Sequence, residues 1–193
     1  MRFSKAVLGL SIVAVTSLSA TSRSTPQKPR MNALLVYGND FMFGVTEPDG
    51  WIGDTSDKAT RRKVNIVFFP ADKASRANNV NIRIRVNSKL DENTIEDLNA
   101  DIGGYRKEFP RLMLADFTVE HPKYKTYPKL LYVPDSFYEY VVYLNPGPDA
   151  RLMFSVAMSK KGSPASEVEF KAFREVLASI SLLSAPGFKV IKD

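Results

Sequence analysis

The sequence predicts an α+β domain in which an antiparallel sheet is packed by helices. Three observations predict it. Short β-type runs bounded by turn residues occupy both halves of the chain, and only two long stretches, one central and one near the C-terminal end, carry helical periodicity. No βαβ unit repeats, so the alternation that a parallel sheet requires is missing. The 193 residues, 44% hydrophobic and 25% charged, suit one globular domain rather than a disordered or fibrous chain.

Residues 1–20 carry Arg2 and Lys5, then an apolar run from Ala6 to Val15, then the small residues Ser17, Ser19 and Ala20. This is the layout of a secretory signal peptide, and the run is too short to span ~30 Å of hydrocarbon comfortably. An uncleaved N-terminal anchor is the competing reading. Residues 21–31 are polar with Pro26 and Pro29, the composition of a flexible linker. The domain is then expected over 32–184, with a tail over 185–193. No later segment is apolar enough to cross a membrane, so the mature chain is expected in the periplasm or secreted, without a transmembrane segment.

The chain has no cysteine. That excludes acylation at a lipobox thiol, disulfides, thiol catalysis and Cys-based metal sites. Removing residues 1–20 takes Arg2 and Lys5 and no acid, which lowers the formal charge from +6 to +4. A mildly basic exported protein favours anionic envelope partners, and nucleic acid is not among them.

Along the domain, 33–37 and 41–46 read as strands of a hairpin around Gly38-Asn39-Asp40. Glu47-Pro48-Asp49-Gly50 is a turn, which Trp51, the single tryptophan, is expected to staple to the core. Residues 64–69 form an apolar run ended by Pro70, as in a strand covered on both faces. In 79–87 the alternation is clean: Val80, Ile82, Ile84 and Val86 share one face, and Asn81, Arg83, Arg85 and Asn87 the other. Residues 94–109 place Ile95, Leu98, Ile102, Tyr105 and Phe109 on one helical stripe, with Thr94 and Asp97 at capping-box spacing and Gly103-Gly104 as a possible kink. Strands are expected over 115–120, 129–133, 137–144 and 151–159, the last two joined by Pro146-Gly147-Pro148-Asp149. Ser163-Pro164 is read as the start of a final helix whose inner face carries Phe170, Phe173, Val176, Leu177 and Ile180. Glu167 and Lys171 are an i,i+4 pair on its outer side.

The segments Phe41-x-Phe43-x-Val45-x-x-Pro48-x-Gly50-Trp51, the strand pair at 64–69 and 79–86, Tyr138-Glu139-Tyr140, and 151–159 before the final helix together resemble the PsbP-like family. That family joins the extrinsic photosystem II subunit PsbP, the bacterial envelope protein DcrB and a Ran-binding nuclear import factor. The resemblance covers nearly the whole domain. It implies a three-layer α/β/α sandwich around a central antiparallel sheet and an accessory or adaptor role without catalysis. A bacterial envelope relative fits the signal peptide better than a photosynthetic subunit, because no block matches the segment with which the plant protein engages its photosystem.

No phosphate-binding loop, dinucleotide fingerprint, zinc-protease motif or nucleophile elbow is present. His121 is the only histidine, so a two-histidine metal site is impossible within one chain. It stands with Asp116 and Glu120 near a strand end, where the simple reading is a solvated histidine before proline and the sharper one a hydrolase site. Two features suit binding. Arg83 and Arg85 offer cations in a row on one strand face, which could take an anion or lie with their stems under a helix. Lys123, Tyr124, Lys125, Tyr127 and Lys129 interleave lysine and tyrosine, a mixture suited to protein or glycan surfaces. The expected function is an accessory or adaptor domain binding another envelope component. The alternative is a binder of an anionic small molecule or wall polymer, and an envelope hydrolase comes third. Neither a metal nor a cofactor is expected.

Overall fold

The structure, a computed structural model, describes residues 32–38, 40–56, 59, 63–72, 80–89 and 94–184. The expected signal peptide, linker and tail lie outside the described residues. Two helices and two antiparallel sheets are described, as the α+β expectation requires. The smaller sheet joins β1 (Asn32–Tyr37), β2 (Met42–Glu47) and β10 (Ser181–Ser184) in the order β1-β2-β10. The larger contains β3 (Trp51–Asp54), β4 (Ile66–Pro70), β5 (Asn81–Ser88), β6 (Met113–Ala115), β7 (Lys125–Val133), β8 (Phe137–Asn145) and β9 (Leu152–Lys161). Its order is β3-β4-β5-β9-β8-β7-β6, which puts β9 in the middle. The helices are α1 (Thr94–Glu108) and α2 (Glu167–Ser179).

Alternation on β5 works as the sequence suggests. Ile82 pairs with Met158 and Ile84 with Val156 across the β5–β9 ladder, and all four are fully buried. They join Phe43 of β2 and Phe173, Val176 and Leu177 of α2 in one apolar cluster. A second cluster forms from Leu98 and Ile102 of α1 with Leu131, Val141, Tyr143, Met153 and Ala157. Strand β8 contributes to both clusters, Val142 and Leu144 to the first and Val141 and Tyr143 to the second, so its two faces are each covered. Trp51 is buried in the first cluster, and its backbone N–H donates to Pro48 O at 3.1 Å to close the turn in which Gly50 has φ +74°. That positive φ is the reason for glycine there.

Several boundaries differ from expectation for identifiable reasons. Helix α2 begins at Glu167, after Pro164, because Ser166 caps it: Ser166 Oγ accepts from Glu169 N and the Glu169 carboxylate accepts from Ser166 N. This reciprocal capping box overrides the proline signal. On the outer side Lys171 pairs with Glu175, at 3.8 Å, rather than with Glu167. Helix α1 runs through Gly103-Gly104 without a break. Residues 116–120, expected as a strand, have no regular structure. Here the chain leaves the sheet edge at β6 and crosses to the α2 side, where Phe117 meets Tyr140 and Phe170 and Val119 enters the first cluster. Strand β10 was not expected; it pairs with β2 immediately after α2.

Candidate functional site

The row of arginines on β5 lies against the second cluster's side of the sheet. Register places Arg85 beside Ser155 and Tyr143, Arg83 beside Ala157 and Val141, and Asn81 beside Ser159 and Glu139. Arg83 reaches diagonally to Glu139, with Nη2 2.9 Å from Oε1, and donates to Ser159 Oγ at 2.6 Å. Ser159 Oγ and Tyr105 Oη both donate to the same carboxylate. Glu139 is buried, and these donors are what make its charge tolerable there. Tyr143 Oη donates to Asp101 of α1. Burial, reinforced by Glu139 for Tyr105 and by Asp101 for Tyr143, raises both phenols far above their ordinary pKa, so both remain donors at neutral pH. Arg85 is exposed, and its Nε donates to Lys63 O at 2.7 Å. Between these groups and α1 lies a cavity of about 140 Å³.

The lysine-tyrosine segment divides. His121, expected to be solvated, is buried and fully used by the backbone: Nδ1 accepts from Lys123 N and Tyr124 N, each at 3.0 Å, and Nε2 meets Ile180 O at 3.0 Å. These partners assign the neutral Nε2–H tautomer, in which Nε2 donates to Ile180 O. Burial lowers its pKa, against the Ile180 hydrogen bond, which raises it. Asp116 and Glu120 are exposed, and Asp116 pairs with Lys129. Tyr124 stacks on His121 with ring centroids 4.5 Å apart and accepts Leu182 N–H, so it ties the crossing segment to β10. Lys123, Lys125 and Tyr127 face elsewhere.

Those three line an open cleft of about 790 Å³ at one end of the large sheet. Antiparallel order brings together the end of β5, the start of β9, the β8–β9 turn and the start of β7. Each contributes: Lys89 follows β5, Arg151 precedes β9, Pro146-Gly147-Pro148 forms the turn and Lys123 and Lys125 enter β7. Lys89 Nζ donates to Gly147 O at 2.6 Å, and Lys89 N donates to Arg151 O. Gly147 has φ +128° and donates to Asn145 Oδ1, a conformation that a side chain would strain. Lys125 Nζ lies 5.1 Å from the Tyr127 ring centroid. Among the described residues, Lys89, Lys123, Lys125 and Arg151 line the cleft without a carboxylate beside them in its wall, although exposed Asp149 belongs to the same turn.

Lys89 and Arg151 were missed by sequence reading. Both stand at strand ends that the pattern located well, but their meeting depends on the pairing of β5 with β9, which periodicity does not encode. Among the described residues, no group of three or more His, Asp and Glu side chains could hold a metal ion, and no helix is long and apolar enough to cross a membrane. The chain matches no protein-family model and no curated protein.

Proposed function

We propose that this protein is an exported, non-catalytic accessory domain of PsbP-like, three-layer α/β/α design, periplasmic or secreted, that binds an anionic polymer of the cell envelope in its cationic cleft. The convergence of Lys89, Lys123, Lys125 and Arg151 on one concave surface carries this reading. Like charges gathered in a cleft repel one another, and an anionic ligand relieves that repulsion while the low-dielectric walls focus their field. The cleft volume falls in the range of ligand sites, about 300–1,000 Å³. Tyr127, Pro146 and Pro148 add an apolar strip on which a sugar ring can rest. A concave groove suits an inserted chain better than a flat protein surface. The α1 and α2 clusters on different sides of β8 and β9 support the layered design, and the residue resemblance supports an accessory role.

A fluorescent short polyphosphate chain tests the reading by anisotropy over a salt series. Expected is saturable binding that weakens steeply with salt, and a loss of about tenfold or more in the Lys123→Ala/Lys125→Ala/Arg151→Ala variant. Arg85→Gln should leave it unchanged. Equal binding by the triple variant overturns the proposal. In cells, cross-linking and capture of one recurring protein that survives high salt would replace the polymer reading with a protein-adaptor one.

A further inference from the structure

Beneath α1 lies a partly open space lined by residues other than those of the cleft. Its origin lies in β9. On this face the middle of the central strand presents small side chains, Ser155, Ala157 and Ser159, flanked by Met153 and Lys161, between the long residues of β5 and β8. On its other face it presents Phe154, Val156 and Met158, all fully buried. The small residues form a trough, α1 roofs it with Leu98, Asp101, Ile102 and Tyr105, and about 140 Å³ stays open.

The polar groups around that space are unequally spent. Arg83, Glu139, Tyr105 and Ser159 satisfy one another at one end. Among the described residues Arg85 forms no ion pair and uses only Nε, on Lys63 O, and Asp101 accepts only the Tyr143 hydroxyl. Both are exposed, which puts one free guanidinium edge and one carboxylate oxygen at the mouth. Behind them Leu98, Ile102, Leu131, Val141 and Ala157 supply the apolar part of a wall shared with Tyr105, Glu139, Tyr143 and Ser155. A cavity near 150 Å³ holds a benzene-sized molecule, so a short branched aliphatic tail fits.

The geometry points to a binding site for a small zwitterion, an α-amino acid with a short aliphatic side chain, its carboxylate on Arg85, its ammonium on Asp101 and its tail among Leu98, Ile102 and Val141. Opposite charges at the mouth select the zwitterion over either singly charged analogue, since each analogue makes only one of the two charge-assisted contacts. Ala157 makes room for the tail.

L-Valine is the probe, titrated into the full domain and followed by calorimetry and amide NMR shifts. Expected is saturable binding with shifts on α1, β5 and β8, and binding at least about tenfold weaker for isobutyric acid, isobutylamine and glycine. Arg85→Gln and Asp101→Asn, both exposed positions, should each lose about tenfold or more. Ala157→Leu fills the space and should abolish binding while the protein still melts cooperatively; if that variant does not fold, the two mouth variants carry the test. The triple variant of the cleft should bind valine as the wild type does. No saturable binding of valine, equal binding of a singly charged analogue, or undiminished binding by both mouth variants overturns the proposal.

Discussion

The two faces of β9 are made from adjacent residues of one strand and do opposite things. Toward α2, Phe154, Val156 and Met158 are fully buried against Phe43, Phe173, Val176 and Leu177, and Phe43 meets Phe154 edge to face at 5.2 Å. Toward α1, Ser155 and Ala157 line a cavity edged by charged and phenolic groups. The helices follow suit. Helix α2 has a complete capping box and an unbroken buried stripe, whereas α1 carries Gly103-Gly104 in its interior. One face invests its surface in stability, and the other arranges polar groups around a space. One strand can thus complete a filled core on one face and border an open cavity on the other, when its alternation sets large apolar residues against small ones.

Deletions of side chains should expose the contrast most strongly. Phe154→Ala removes a ring from the tightly filled face and should cost about 3–5 kcal/mol in urea unfolding. Leu98→Ala, opposite, should cost only about 2 kcal/mol, because the space beside it is already open and little new cavity forms. Equal losses would contradict the difference in how the faces are filled. Next comes Glu139→Ala, which strands Arg83, Tyr105 and Ser159. With the Arg83 side chain 31% exposed and partly screened, the expected loss is about 1–3 kcal/mol.

Gly103→Ala and Gly104→Ala should instead stabilise, by about 1 kcal/mol each, since a Cβ at either position meets nothing within 4 Å and neither glycine has positive φ. Loss of stability there would mean that α1 needs the freedom of glycine. The smallest effect is one of pH. His121 has a lowered folded pKa through burial, so its contribution is complete above the ordinary value near 6.5 and is lost as pH falls below it. Melting temperature should drop between about pH 7.5 and about pH 5.5, and His121→Gln should flatten that slope. Glu169 acts in a lower window. Burial raises its carboxyl, but the Lys160 and Ser166 hydrogen bonds outweigh this and hold it below its ordinary value, so its contribution is lost only on further acidification.

Much of the fold was legible because local chemistry and final structure agree. The alternation of Val80, Ile82 and Ile84 against Arg83 and Arg85 predicts the faces of β5, and the hairpin strands, α1 and the β8–β9 turn follow from periodicity and turn residues. What failed was non-local. Residues 116–120 have a strand-like composition, yet Phe117, Val119 and His121 are drawn to α2 and β10. Ser166 and Glu169 carried a readable cap that Pro164 obscured. Of the candidate site residues, Lys123, Lys125 and Tyr127 line the cleft, while Tyr124 and Lys129 are committed to Leu182 and Asp116. Arg83 is neutralised by Glu139, whose part no local pattern disclosed. A site assembled at strand ends becomes visible only with strand order.

The proposed polymer-binding surface is the cationic end of the large sheet. Amide NMR of the domain during titration with short polyphosphate tests it most directly. Saturable shifts that vanish at high salt are expected at Lys89, Lys123, Lys125, Tyr127, Gly147 and Arg151. Shifts centred on β1 and β2, or none at low salt, would contradict it.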